Sequence, residues 1–101
     1  MLNFTRTTNA FNYVFEKELE GAETVIVKMP TISPNKRGIN DIGWQTDGDV
    51  TLYATLNSNP KDAGAMWQEI KENETINKTV FAIKIVNNGG ACNIAIRAIL
   101  N

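Results

Sequence analysis

Apolar and polar residues alternate over short stretches with a period of two, and helical spacing is scarce. β-Branched and aromatic residues come in runs bounded by Gly, Pro, Asn and Asp, which is the pattern of an all-β domain. The runs predict strands over residues 11–19, 22–29, 42–46, 49–56, 66–70, 76–87 and 91–100. At 66–70 one turn of helix is the alternative, because Met66 and Ile70 have helical spacing after Asp62. Segments 30–38 and 57–64 read as loops, since their prolines lack a donor for a ladder and their glycines permit unusual backbone angles. Residues 1–9 are polar and read as an arm, flexible or docked on a partner, leaving 10–101 as the one domain.

Two dipeptides predict tight hairpins. Asn88-Gly89 suits a two-residue turn in which both central positions have φ > 0, and would pair Ile85 with Cys92, Ile83 with Ile94 and Phe81 with Ile96 on one apolar face. Asp47-Gly48 would likewise pair Gln45 with Val50 and Trp44 with Thr51. Val50, Leu52, Ala54 and Leu56 then face the core, while Ile42, Trp44 and Tyr53 share the opposite face as surplus apolar surface for an arm, a loop or another chain. Two sheets packed face to face bury the aliphatic sides, so the expectation is a single antiparallel β-sandwich of about seven or eight strands, jelly-roll or immunoglobulin-like.

Composition narrows the chemistry. The chain has 101 residues, 10 basic against 11 acidic side chains and no histidine. At this length folding buries roughly two thirds of the unfolded surface, enough for one modest core. Without histidine, and with Cys92 the only cysteine, Ser/His/Asp and Cys/His triads, an intrachain disulfide and the usual zinc sites are absent. The balanced charge argues against nucleic acid as a partner. No apolar run reaches the roughly 20 residues of a membrane helix, and the first residues lack the apolar segment of a signal peptide.

Asp47-Gly48-Asp49 lacks the repeating oxygens and terminal glutamate of a calcium loop and is better read as a turn. Lys78, Lys84 and Arg97 read as solvated or paired with Glu16, Glu18 or Glu23 rather than as an anion site. Cys92 reads as a small buried hydrophobe. Glu16, Glu18 and Glu20 lie on one side of a strand, where a hydrolase needs opposed carboxylates in a cleft; a self-repelling edge is the better account. No catalytic residue, metal or cofactor is therefore expected. Trp44, Tyr53 and Trp67 are the candidate ligand platform, because flat rings stack on sugars, and with Ile42 and Phe4 they are the candidate interface residues. Asn and Thr, 13 and 10 in number, suit a wet, hydrogen-bonded contact surface.

The segments Gly43-Trp44-Gln45-Thr46-Asp47-Gly48-Asp49-Val50-Thr51-Leu52-Tyr53-Ala54-Thr55-Leu56, Trp67-Gln68-Glu69-Ile70, Ile76-Asn77-Lys78-Thr79-Val80 and Ile94-Ala95-Ile96-Arg97-Ala98-Ile99-Leu100 resemble, in strand order and spacing over residues 20–101, small virion proteins of tailed bacteriophages. The resemblance implies a non-catalytic structural component of the virion, a capsid decoration, auxiliary or fibre-base module made in the bacterial host's cytoplasm. It implies partners among other virion proteins and copies of itself, trimers above all. The class has no shared chemical motif, so the resemblance transfers no site residues. A carbohydrate-binding sandwich using Trp44, Tyr53 or Trp67 for receptor adhesion is the competing expectation.

Overall fold

The computed structural model describes residues 2–6, 12–29, 40–57, 64–72, 74, 76–78 and 80–100. Among these are ten strands and no helix: β1 (Leu2–Asn3), β2 (Thr5–Arg6), β3 (Asn12–Leu19), β4 (Thr24–Lys28), β5 (Asn40–Thr46), β6 (Val50–Thr55), β7 (Trp67–Ile70), β8 (Ile76–Lys78), β9 (Ala82–Asn87) and β10 (Cys92–Leu100). Trp67–Ile70 is strand, not a helical turn. The expected loop at 30–38 and most of that at 57–64 lie outside the described residues.

The strands form two five-stranded sheets, β1-β4-β9-β6-β7 (sheet A) and β2-β3-β10-β5-β8 (sheet B). β3 pairs with β10, β4 with β9, β5 with β8 and β6 with β7, so the pairings nest inside one another. β10 also pairs with β5, and β9 with β6. This is a long hairpin wrapped on itself, the jelly-roll topology, and it removes the immunoglobulin-like alternative. All these ladders are antiparallel; β1 departs from the expectation by lying parallel to β4. Of the expected arm, Leu2–Asn3 adds to sheet A and Thr5–Arg6 to sheet B, and between them the Phe4 ring lies 6.1 Å from that of Phe15. Residues 7–9 are outside the described set.

Both hairpin expectations are corrected. β9 and β10 lie in different sheets, as do β5 and β6, so Ile83 and Ile94 face each other's layer instead of sharing a ladder. Alternation dictates which side of a strand is buried but not which strand it meets. In a sandwich, two apolar faces are satisfied equally by packing across the core. Sheets sit about 10 Å apart, and three or four extended residues at roughly 3.3 Å each span that gap, so the short 47–49 and 88–91 segments serve as crossovers. At Gly48 the requirement is clearance: a Cβ there would fall 2.5 Å from Cys92 Cβ. The predicted strand 76–87 divides in two, β8 in sheet B and β9 in sheet A. Phe81, just before β9, is exposed; its N–H donates to Thr55 O and its carbonyl accepts from Met29 N.

The core draws Val25, Val27, Leu52, Ala54, Ile70, Ile83 and Ile85 from sheet A, and Phe15, Leu19, Ile42, Trp44, Cys92, Ile94, Ile96 and Ala98 from sheet B. Fully burying a side chain of this size contributes roughly 1.5–3 kcal/mol. Ile42 and Trp44, expected on an outward face, are inside because β5 pairs with β10, whose inward row Ile96 and Ala98 shares their side. The Trp44 indole N–H is buried without a hydrogen-bond partner among the described residues, which offsets part of what its ring contributes. Leu56, expected in the core, follows the last ladder residue Thr55 and is 61% exposed.

Candidate interaction surface

The outer side of sheet A carries the two outward aromatics. Tyr53 stands in register with Lys84 on one neighbour and Glu69 on the other, and Trp67 with Thr55, which sets both rings on the same face one row apart. The Lys84 ammonium lies 5.1 Å from the Tyr53 ring centroid and 4.7 Å from that of Trp67. The cation thus lies over one face of each ring, a contact of about 0.5–1 kcal/mol.

At the edge beside Trp67 an apolar groove of about 170 Å³ opens. Ala54, Ile70 and Val80 are buried and floor it, while Leu56 and Met66, 61% and 77% exposed, stand at its rim with Trp67. Local polar contacts place the rim: Asn57 Oδ1 accepts from Met66 N at 2.9 Å and from the buried Thr55 hydroxyl at 3.1 Å. The Thr55 oxygen in turn accepts from Asn57 N at 3.1 Å, so both ends of the β6–β7 connection are tied to one side chain. Neither Leu56 nor Met66 was singled out as a contact residue by the sequence. The available signal was the Asn-Ser-Asn-Pro run, which ends the ladder before Leu56 and so ends the alternation that would have buried it.

The outer side of sheet B is polar at its Asn93 end. Its trough of about 650 Å³ is lined by Glu16, Glu18, Gln45, Asp47, Glu72 and Asn93, among others. Asn93 donates to Asp47 through its backbone N–H at 2.7 Å and its Nδ2 at 3.2 Å, and these bonds hold the Asp47 carboxyl below its ordinary pKa. Glu72 accepts from Thr46 N at 2.8 Å, capping the edge of β5 beyond the end of β8. Arg97 pairs with Glu16 at 2.9 Å, as the solvated-face reading expects. Lys84 and Arg97 stand on outer sides of opposite sheets, so they form no common basic stripe. Glu20 lies past the end of β3, separate from the Glu16 and Glu18 row. Among the described residues, no cluster of three His, Cys, Asp or Glu side chains has the arrangement of a metal site.

Of the sequence candidates, then, Tyr53 and Trp67 share a surface, Phe4 packs against Phe15, and Ile42 and Trp44 belong to the core. No family model, curated protein or solved structure matches the chain.

Proposed function

We propose that this protein is a non-catalytic structural component of a bacteriophage virion, a capsid decoration or auxiliary protein that assembles through a sheet edge. The observation that carries the reading is the groove at the β6–β7 edge, where Leu56 and Met66 stand exposed over an apolar floor. Large apolar side chains grouped in water are costly unless a partner covers them, and the many Asn and Thr side chains suit a wet rim around such a contact. Jelly rolls serve both shell proteins and lectins, so the topology alone does not choose between the two readings. Lys84 does bear on the choice: it covers one face each of Tyr53 and Trp67, which weakens the glycan platform, whereas the edge groove is open.

The test is the protein content of density-gradient-purified particles from lysates of the host that carries the gene. Recovery of the chain at a fixed, many-copy ratio to the main shell protein is the expected result. Recovery only in the soluble lysate, with none on particles, overturns the reading.

A further inference from the structure

We propose that Asn88 is a site of spontaneous deamidation whose rate in the folded protein is set by Thr51 and Asn87. Asn88-Gly89 lies in the β9–β10 crossover, and both residues are exposed. In the chemistry available to such a pair, the Gly89 backbone nitrogen loses its proton and bonds to Asn88 Cγ. The Cγ–Nδ2 bond breaks and ammonia leaves, giving a five-membered imide. Water then opens either imide C–N bond, yielding aspartate or its isomer with the main chain routed through the side-chain carbon. Glycine is the following residue least able to hinder this attack, because it has no Cβ.

The structure holds both reacting groups away from that path. The nucleophile, Gly89 N–H, donates to Asn87 Oδ1 at 3.1 Å, and the leaving amide, Asn88 Nδ2, donates to Thr51 Oγ1 at 2.8 Å. Asn88 N also donates to Asp49 O at 2.8 Å, fixing the residue across the sheet end. Reaction therefore requires both side-chain contacts to open first. Its product places a new carboxylate beside Asp49, and the isomer lengthens by one carbon the segment through which Gly89 O accepts from Ala22 N and Gly90 O from Asn87 Nδ2. Deamidation thus loosens the end of the sandwich at which the two sheets are tied together.

The experiment incubates the folded full chain in mildly alkaline buffer and follows amide-to-acid conversion by intact mass and peptide mapping, with Asn57-Ser58 as the internal comparison. Conversion is expected to concentrate at Asn88. Thr51→Val should speed it about fivefold, the factor one net hydrogen bond is worth, while Thr51→Ser, which keeps the hydroxyl, should hold the wild-type rate. Gly89→Ala should slow it, and the substitution is accommodated, since the added Cβ would meet Asp49 Cβ at 3.6 Å, an ordinary contact. Conversion at Asn88 no faster than at Asn57, or equal rates in Thr51→Val and wild type, overturns the proposal.

Discussion

Asn87 is buried at the end of β9 and uses its side-chain amide in three ways. Nδ2 donates to Glu20 O at 2.7 Å and Gly90 O at 2.9 Å, and Oδ1 accepts from Gly89 N. One side chain thereby joins the β3–β4 and β9–β10 crossovers. Asn87→Ala removes these three hydrogen bonds, and an equilibrium urea titration should show a loss of about 1–3 kcal/mol. Asp47 contributes on the surface of the same end. Its carboxyl titrates below 3.8 in the folded protein, so the stability it supplies is complete above that value and is lost as pH falls through the lower folded pKa. Thermal melts of Asp47→Asn should show a shallower decline below pH 3.8 than those of the unsubstituted chain.

Strands were readable where alternation is strict. Ile83, Ile85, Ile94 and Ile96 fall on one apolar side by period, and they are buried. Partners were not readable, because a two-residue hairpin and a crossover between layers use the same Asn, Asp and Gly residues. Leu56 and Phe81 show the other limit: each stands just outside a ladder, where parity no longer reports burial. The surface was legible only in part: Tyr53 and Trp67 were named, but not the groove, which depends on where β6 stops. Lys17 protects the part of β3 that β2 does not cover: it occupies the inward row between Phe15 and Leu19, with its ammonium 3.5 Å from Glu23. A charge there discourages another strand from adding to β3. The alternation itself is tested by a neighbouring pair on β9. Ile83→Lys places a charge in the core and should unfold the domain, while Lys84→Ala should cost about 1 kcal/mol or less, by losing its contacts with Tyr53 and Trp67. Circular dichroism during denaturation separates these outcomes, and similar losses at both positions contradict the assigned faces.

For the whole molecule, the groove and the core call for different variants. Trp44→Ala removes a buried ring and should cost about 3–5 kcal/mol, so it reports on folding and is a poor probe of assembly. Leu56→Asp combined with Met66→Asp alters exposed positions and should leave the melting temperature within a few degrees of wild type. In light scattering across a concentration series, that double variant should remain smaller than the unsubstituted chain. Equal masses at every concentration would take the groove out of self-association.

The order of strands within the sheets has a further effect on how the chain is made. β9 is the middle strand of sheet A and β10 the middle strand of sheet B, yet they are the last two strands in chain order. Until residues 82–100 leave the ribosome, β4 lacks its bridge to β6, and β3 its bridge to β5. The emerging chain can then form the β6–β7 hairpin and the β5–β8 pair, which lie opposite each other in the sandwich, but not the central strands that join them to β4 and β3. The centre of the core must therefore close last and through contacts distant in sequence, which makes folding slow.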